Sequence, residues 1–368
     1  MSLPEPLRGP AFGSYAPDEV GWLLTDLSGA ELEAPAERRE AAIQAGLAHY
    51  AESLPVEYQP DEEYRRLFAA SLNSGARRVA RTVGIVGELI MAERGPGVVL
   101  ASLARAGTPV GILLRRWLDF AAGAVVPHYT LSIVRGRGID ALALRFLAER
   151  HDPRRVVFVD GWTGKGAIAR ELEAALRAHP AFVPDLAVLA DPGSCTRTFG
   201  TREDFLVPSA CLNSTVSGLV SRTVLNRSLL RPDQFHGAKY YAHLAASDVS
   251  ATFLDAICAC FPAVAEDVAR DWPAVRDGRR APAWTGWREV RRIGARYGIT
   301  DMNLIKPGVG ETTRVLLRRV PRLVLARPDR AADLAHVELL AARRGVPVEY
   351  LPGLPYSCVG IIAPAANR

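Results

Sequence analysis

Three glycine-rich, polar loops contain the residues whose types and spacing could bind phosphate. The first holds one arginine, Arg105, among small residues that would let a ligand approach the backbone: Ser102, Ala104, Ala106, Gly107 and Thr108. A guanidinium presents a rigid fork of donors, which suits a diphosphate. The second loop, residues 135–140, places Arg135 and Arg137 beside glycines, on a support that could close over an anion.

The third loop combines a carboxylate with a short phosphate-binding pattern. Asp160 ends an apolar run, and a helical stretch then begins with Thr163, Gly164, Lys165 and Gly166. The free N–H groups at such a helix start can bind phosphate. A P-loop ATPase would need glycine at Val159 and a hydroxyl residue at position 166, so that class is excluded. The first strand of this region is not followed by GxGxxG, which weighs against a dinucleotide-binding fold.

These loops follow the strands of one predicted sheet. Short runs rich in Val and Leu are each followed by a turn and mostly by a helical pattern, at residues 97–103, 130–134, 155–160 and 186–191. Strands that alternate with helices at this spacing predict a parallel sheet covered on both faces. Ligands bind at the carboxyl ends of such strands, where the strand order reverses. We therefore expect the three loops to converge on one site.

The flanking segments predict helices before the sheet and a smaller unit after it. Residues 1–95 favour helix, with one apolar stretch opening at Asp18 and another running from Leu67 to Ile90. Residues 192–250 are rich in Ser, Thr, Asn and Gly, which predicts a lid or loops over the sheet. A linker at residues 273–286 leads to the second unit, predicted as strand 322–328, helix 333–345 and strand 346–351.

Composition and charge favour a folded protein of two domains. The chain has 368 residues, with 45 Lys and Arg against 40 Asp and Glu. Residues 285–368 alone contain 14 basic and 7 acidic residues, so a polyanionic partner is conceivable there. The five cysteines include no CxxC pair, which argues against a disulfide framework and a four-thiolate zinc site. No apolar run has the length of a membrane helix or a signal peptide, so we expect a cytoplasmic protein without membrane contact.

The order of the loops resembles the type I phosphoribosyltransferases. The resemblance implies that Arg105 and the backbone through Gly107 hold the pyrophosphate of phosphoribosyl pyrophosphate, and that Arg135 and Arg137 close over it. It also implies that Asp160 binds the ribose hydroxyls, near a Mg²⁺ ion carried by the substrate. The residues implied for the 5-phosphate are Thr163, Gly164, Lys165 and Gly166. Gly161 stands where that family usually has a second acidic residue.

Longer strings are similar to one bacterial group of phosphoribosyltransferase-like proteins from tellurite-resistance and stress operons, also labelled StiP-type cysteine proteases. They include VLASLARAGTPVGILLRR and FVDGWTGKGAI, and the similarity runs from about Phe12 to Phe261. The strings KPGVGETTRVLLRR and YSCVGII resemble a Pelota-like RNA-binding domain. Gly310 stands where similar RNA-binding folds usually carry Asn.

The resemblance implies an α/β fold of two domains. Residues 1–270 would form a type I phosphoribosyltransferase-like parallel sheet with helices on both faces, a helical N-terminal extension and a hood. Residues 285–368 would form a small αβα Pelota/L7Ae-like domain. Basic residues of this domain could follow the phosphate backbone of RNA: Lys306, Arg314 and Arg318.

The predicted function is transfer of ribose 5-phosphate from phosphoribosyl pyrophosphate to a heterocyclic or other nucleophilic acceptor, with Mg²⁺. Hood residues that could recognise the acceptor are Asn213, Ser214, Thr215, His236 and Lys239. One alternative is a cysteine hydrolase that uses Cys211 and His236, with Cys195 as a second candidate nucleophile. Another is a non-catalytic, nucleotide-sensing protein that binds RNA. The oligomeric state is left open, with a homodimer among the alternatives.

Overall fold

The computed structural model describes residues 3–35, 51–57 and 59–364. Its strands are β1 (Gly21–Leu23), β2 (Thr25–Asp26), β3 (Glu33–Ala34), β4 (Leu54–Pro55), β5 (Val99–Leu103), β6 (His128–Leu131), β7 (Ile133–Val134), β8 (Gly138–Ile139), β9 (Val156–Trp162), β10 (Leu186–Ala190), β11 (Thr198–Thr201), β12 (Gly237–Ala238), β13 (Ile305–Pro307), β14 (Pro321–Ala326), β15 (Val348–Tyr350) and β16 (Cys358–Ile362). Its α-helices are α1 (Glu62–Arg94), α2 (Gly107–Ala122), α3 (Ala141–Arg150), α4 (Ala167–Leu176), α5 (Ser250–Cys258), α6 (Phe261–Asp277), α7 (Thr285–Tyr297), α8 (Val309–Arg318) and α9 (Ala331–Arg343).

A six-stranded parallel sheet forms the centre of the N-terminal part, in the order β1-β6-β5-β9-β10-β11. Successive side chains of a strand point to opposite faces, and both faces of these strands are buried. Leu100 and Val159 pack in one hydrophobic cluster with α1 and α2. Ala101 and Phe158 pack in a second cluster with α3 and α4. The prediction of a parallel sheet covered on both faces is confirmed.

The prediction that residues 1–95 are mainly helical is confirmed only for the last third of that segment. In residues 3–35 and 51–57 the structure has strands β1 to β4 and no α-helix, and residues 36–50 lie outside the described ranges. The helix predicted over Leu67–Ile90 is confirmed by α1, whose first turn is capped by the Asp61 carboxylate at 2.8 Å from the Tyr64 N–H. The apolar stretch after Asp18 is not a helix, because it contains β1 at the edge of the central sheet. Residues 19–24 are all buried, so the stretch lacks the exposed face that an amphipathic helix presents.

The C-terminal unit is a four-stranded sheet with helices on two faces. The order is β13-β16-β14-β15, with β16 antiparallel to both of its neighbours. Helix α7 packs on one face through Val290 and Ile293. Helices α8 and α9 pack on the other, in the cluster that also contains α1 and α2. The two units therefore share a hydrophobic core.

Loops connect these units and cover the carboxyl edge of the central sheet. Residues 202–236 contain single helical turns at Pro208–Cys211 and Ser214–Val216 and no strand, which agrees with the prediction of a lid or loops over residues 192–250. Strands β11 and β12, however, also lie within that predicted segment. Helix α6 continues through Pro273 to Asp277, so the exposed connection begins later than predicted, at Gly278. In the ranges that the structure describes, none of the helices has the length and apolar character that crossing a membrane requires.

Candidate functional site

A cavity lies where the strand order of the central sheet reverses. Strand β5 pairs with β6 on one side and β9 on the other, so the loops that follow β5 and β9 leave a space between them. The cavity measures about 200 Å³. The end of β5 and the loop after it supply Leu103, Ala104, Arg105 and Ala106, and the end of β9 supplies Asp160 and Trp162. The segment of residues 208–223, here called the hood, supplies Ser209, Leu212, Asn213, Val216, Ser217, Arg222 and Thr223.

Arg105 lines the cavity and forms a buried ion pair. Its Nη1 donates to Oε1 of Glu57 at 2.9 Å and to the Val220 carbonyl at 3.2 Å, and the peptide bond that precedes it is cis. Burial alone would raise the pKa of Glu57, but the charge and hydrogen bond of Arg105, with a smaller contribution from Arg318, hold that pKa below its ordinary value. The protein itself therefore compensates the charge of Arg105. No local sequence pattern marks Glu57, which lies 48 positions from its partner.

Asp160 is the acidic residue of the cavity lining. Its Oδ1 accepts the Gly161 N–H at 2.8 Å. Burial raises the pKa of Asp160 to about 6, against the opposing effects of the Arg314 charge and this hydrogen bond. The Glu311 carboxylate contributes further to the increase. A carboxyl group that titrates this close to neutrality can act in proton transfer.

The hood brings polar groups over the cavity. Asn213 and Ser217 line it, and the Ser217 hydroxyl donates to the Asn213 carbonyl at 2.8 Å. Both the Asn213 Oδ1 and the Ser214 Oγ are buried, and neither has a hydrogen-bond partner among the residues that the structure describes. Thr215 is also buried, and its carbonyl accepts the Val249 N–H. An unpartnered buried oxygen is costly, so Asn213 is poised to accept a bond from a ligand.

Of the five predicted acceptor residues, only Asn213 lines the cavity. The others, Ser214, Thr215, His236 and Lys239, are not in its lining. His236 Nδ1 lies 2.8 Å from the Ser132 hydroxyl, and its backbone N–H donates to Asp140. Burial lowers the pKa of His236, and the Asp140 charge opposes this. Lys239 Nζ donates to Glu33 at 2.9 Å and to the Ala30 carbonyl at 2.6 Å. Both side chains are therefore bound within the loops that support the hood.

The C-terminal unit contributes two arginines to the cavity wall. Arg314 and Arg318 of α8 line it, although the sequence had suggested RNA contacts for them. Arg314 pairs with Glu311 at 3.0 Å and lies 4.4 Å from the centre of the Trp162 ring. Burial, followed by the charges of Arg105 and Arg314, lowers the pKa of Arg318. Lys306 is half-buried outside the lining, and burial lowers its pKa.

The predicted 5-phosphate loop contacts the C-terminal unit instead of the cavity. The Thr163 hydroxyl donates to Asp191 at 2.7 Å, and the Gly164 carbonyl accepts the Tyr356 hydroxyl at 2.9 Å. Lys165 Nζ donates to the Ile305 carbonyl at 2.8 Å and to the Met302 carbonyl. Burial, then the charges of Lys306 and Arg135, lowers the pKa of Lys165 to about 7. Gly166 has a φ of 72° and lies against Trp284, where a Cβ would come within 2.5 Å of the ring.

The remaining predicted residues support the cavity from outside. Arg135 donates to Asn303 of the C-terminal unit, and Arg137 is exposed. Ser102 Oγ lies 2.8 Å from His128 Nε2, and Thr108 accepts a bond from Thr130 at 3.1 Å. A Cβ at Gly107 would lie 2.3 Å from the Val159 carbonyl, so only glycine lets α2 approach β9 this closely. The prediction that all three loops form one site is therefore only partly correct. The Arg105 loop and Asp160 line the same cavity, whereas Arg135, Arg137 and the loop at 163–166 are not in its lining.

A grouping of side chains suited to hold a metal ion is not found in the described ranges. Across residues 3–35, 51–57 and 59–364, no three His, Cys, Asp or Glu side chains are grouped as metal ligands. Mg²⁺ therefore stays a prediction that depends on a substrate with its own phosphate oxygens.

Comparison with known proteins identifies the family. A family model described as tellurite-like stress resistance cysteine protease StiP matches residues 13–258, and a PELOTA RNA binding domain model matches residues 284–364. A curated protein of Acinetobacter baylyi named "Cysteine protease StiP" is 33% identical over 365 residues, which are 95% of this chain and 94% of that protein. The chain belongs to the StiP family. The resemblance in the sequence is thereby confirmed, and the C-terminal unit of this StiP-family chain is Pelota-like.

Two solved phosphoribosyltransferases match about a third of this StiP-family chain. A hypoxanthine-guanine phosphoribosyltransferase of Bacillus anthracis shows 12% identity and a TM-score of 0.24, over 33% of this chain and 76% of that one. A hypoxanthine phosphoribosyltransferase of Trypanosoma cruzi shows 16% identity and a TM-score of 0.25, over 34% and 73%. TM-scores this low do not support a fold assignment, so the description of the fold rests on the strand pairing.

The StiP family description directs attention to the thiols. Cys211 and Cys195 are 1% and 3% exposed. Burial raises the pKa of each to about 12, and the Asp191 carboxylate adds to the increase at Cys195. His236 contacts Ser132 and Asp140, and among the described residues no histidine hydrogen-bonds to either sulfur. The predicted Cys211–His236 dyad is therefore not assembled, and burial favours the protonated form of both thiols.

Proposed function

We propose that this chain is a phosphoribosyltransferase that binds phosphoribosyl pyrophosphate in the cavity between β5 and β9. The proposal rests on one observation: one carboxyl group and four guanidinium groups line a cavity at the point where the strand order of the parallel sheet reverses. The acid is Asp160, and the cations are Arg105, Arg222, Arg314 and Arg318. This combination suits a ribose flanked by phosphates, because a carboxylate can accept bonds from the hydroxyls and guanidinium groups can bind the phosphates.

The proposed reaction transfers ribose 5-phosphate to a nucleophile. The bond from C1 of the ribose to the pyrophosphate oxygen breaks, pyrophosphate leaves with the electron pair, and C1 bonds to the acceptor. The transition state resembles an oxocarbenium ion with a departing anion, so fixed cations stabilise the leaving group and a carboxylate stabilises the sugar. Asp160 would bind the ribose hydroxyls, and the arginines the phosphates. Mg²⁺ bound to the pyrophosphate would neutralise further charge, with Asp160 as its protein ligand.

The loop at 163–166 has a smaller role in this proposal than the sequence suggests. Its Lys165 is engaged by two carbonyl groups of the C-terminal unit. The arginines of the cavity are therefore the groups available to both phosphates of the substrate.

Cell extract incubated with isotopically labelled phosphoribosyl pyrophosphate, Mg²⁺ and the full chain tests the proposal. Mass spectrometry should detect a labelled product that depends on the protein and is reduced more than 100-fold by Asp160→Asn, since that variant loses the charge beside the sugar. The matched control is Arg145→Ala, which removes an exposed arginine paired only with Glu149. A wild-type chain that makes no labelled product, or an Asp160→Asn variant as active as the control, refutes the transferase.

A second candidate function is thiol proteolysis, which the family description and the name of the Acinetobacter relative support more directly than any comparison supports the transferase. It would require a rearrangement that exposes Cys211 or Cys195 and lowers the pKa of that thiol. Alkylation of the native protein by iodoacetamide at pH 8, mapped by mass spectrometry, separates the two candidates. We expect Cys195 and Cys211 to stay unmodified while the half-buried Cys260 reacts. Rapid modification of Cys211, with loss of peptidase activity in Cys211→Ala, would establish the protease instead.

RNA binding is a third candidate, supported by the description of the C-terminal family model. Because Arg314 and Arg318 face the cavity, the candidate RNA contacts in this proposal are the exposed arginines of α7: Arg288, Arg291, Arg292 and Arg296. If they bind the phosphate backbone, changing Arg291 and Arg296 to Glu should weaken RNA binding and reduce its salt dependence. Unchanged filter binding of RNA by that variant would exclude this surface.

A further inference from the structure

The cavity has walls from both units of the chain. Arg314 and Arg318 are four positions apart on α8, so they lie on the same face of that helix, and both line the cavity. The rest of the lining belongs to residues 103–223. The site is therefore incomplete without the C-terminal unit.

Several contacts fix α8 over the cavity. The Asp204 carboxylate accepts the Val309 N–H at the start of α8 at 3.0 Å and the Ser357 N–H at 2.7 Å. Leu316 of the same helix packs in the hydrophobic cluster that contains Val207 and Leu212. A Cβ at Gly310 would lie 2.3 Å from Trp162 Cε2, so α8 rests directly on the end of β9. The position of the two arginines is thus set by hydrogen bonds and by close packing.

The charges in the cavity are unequally compensated. Arg105 is paired with Glu57 and Arg314 with Glu311, whereas Arg318 forms no ion pair within the described part of the chain. The Nε atoms of Arg314 and Arg318 are buried without hydrogen-bond partners. A buried arginine without an ion pair, next to two other arginines, is energetically unfavourable unless an anion binds among the three. Arg318 interacts with the charges of Glu57 and Glu311 without a direct ion pair to either, so it is the arginine of α8 whose guanidinium is more available to an anion.

We propose that Arg318, assisted by Arg314, binds the pyrophosphate group of the substrate, and that the C-terminal unit is a permanent wall of the substrate site. The sequence suggested that Arg105 binds the pyrophosphate. In this proposal Arg318 of the C-terminal unit does so instead, because Glu57 already neutralises Arg105. The identity of the substrate rests on the proposed function, but the binding of a diphosphate does not.

Isothermal titration of the full chain with inorganic pyrophosphate tests this inference. Arg318→Gln should weaken binding at least tenfold, because the variant lacks the charged guanidinium. The matched control is Arg322→Gln, which removes an exposed arginine of the same unit and should change the dissociation constant less than twofold. The Tm of ligand-free Arg318→Gln should equal or exceed that of the wild type, since a merely structural arginine would lower it.

The outcomes separate the inference from the proposed function. Wild-type chain that does not bind pyrophosphate, or equal binding by Arg318→Gln and the wild type, overturns the inference even if phosphoribosyl transfer occurs. Loss of RNA binding without loss of pyrophosphate binding in Arg318→Gln also overturns it. Specific loss of pyrophosphate binding in Arg318→Gln supports the inference, even if no labelled product forms and the transferase proposal fails.

Discussion

Burial has opposite consequences for the two residue types that could perform chemistry in this chain. It raises the pKa of Asp160 to about 6, which brings the carboxyl group into the range where it exchanges protons. It raises the pKa of Cys211 to about 12, which removes the thiolate that a cysteine protease needs. The same physical effect therefore favours acid–base and electrostatic chemistry at the cavity over thiol chemistry in the hood.

The raised pKa of Asp160 predicts a pH-dependent stability. The native state keeps the proton to a higher pH than the unfolded chain, so the stability that the protonated carboxyl contributes is complete below pH 4 and is lost as the pH rises through about 6. Asp160→Asn cannot titrate. The free energy of unfolding of the wild type, minus that of the variant, should therefore fall by about 1–3 kcal/mol between pH 4 and pH 7.

Urea denaturation of both proteins at the two pH values measures this difference. Other titrating groups, such as Asp204, are common to the two proteins and cancel. A difference that does not change with pH would show that Asp160 is solvated like an ordinary surface carboxylate.

Sequence reasoning could identify the polar residues of the cavity but not their partners. Arg105 and Asp160 were recognised because each follows an apolar strand, where the carboxyl edge of a sheet binds ligands. Glu57 was missed, since its pairing with Arg105 depends on the path of a distant segment. The placement of Arg318 in the same cavity could not be foreseen, because it depends on how two units dock.

At the scale of elements, α8 determines whether the cavity is closed. Gly310 is its second residue and lies against Trp162, which explains the absence of the Asn that similar RNA-binding folds carry there. Any side chain at this position would separate α8 from the end of β9. The glycine therefore indicates docking to the N-terminal unit.

Gly310→Ala should weaken the docking of α8. The added Cβ would overlap the Trp162 ring, so we expect a loss of about 1–3 kcal/mol in the free energy of unfolding and weaker pyrophosphate binding. Gly75→Ala on α1 is the matched control, since its Cβ would meet only Pro208 at 3.6 Å and alanine favours helix. Urea denaturation and titration with pyrophosphate check both effects. Equal behaviour of the two variants would contradict the close contact at Gly310.

Elements with strong periodicity were predictable, and short ones were not. Strands β5, β9 and β10 and helix α1 were found because their apolar patterns are continuous over many residues. Strand β1 has three residues, and an apolar run this short fits both a helix and a strand, so the sequence prediction of a helix there is wrong. Strand β11 lies in a polar segment whose composition predicts loops, so no apolar pattern indicates it.

The two units of the molecule share one hydrophobic core. Val309 and Leu334 of the C-terminal unit belong to the same cluster as Val83 and Leu113 of the N-terminal part. A core shared in this way couples the units, because neither can unfold without exposing apolar surface of the other. The family models match the units separately, whereas their packing joins them.

We therefore expect thermal unfolding in a single transition. Differential scanning calorimetry should give one peak whose calorimetric and van't Hoff enthalpies agree. Pyrophosphate should shift the whole peak to a higher temperature, since it binds between the units. Two resolved peaks, of which only the first moves with ligand, would contradict the shared core.

The most direct measurement of the central claim is a crystal structure of the full chain with phosphoribosyl pyrophosphate and Mg²⁺. The ligand should lie in the cavity between β5 and β9, with its ribose hydroxyls at Asp160 and its diphosphate at Arg318. A ligand bound at another surface, or a sugar whose diphosphate contacts neither arginine of α8, would contradict the claim.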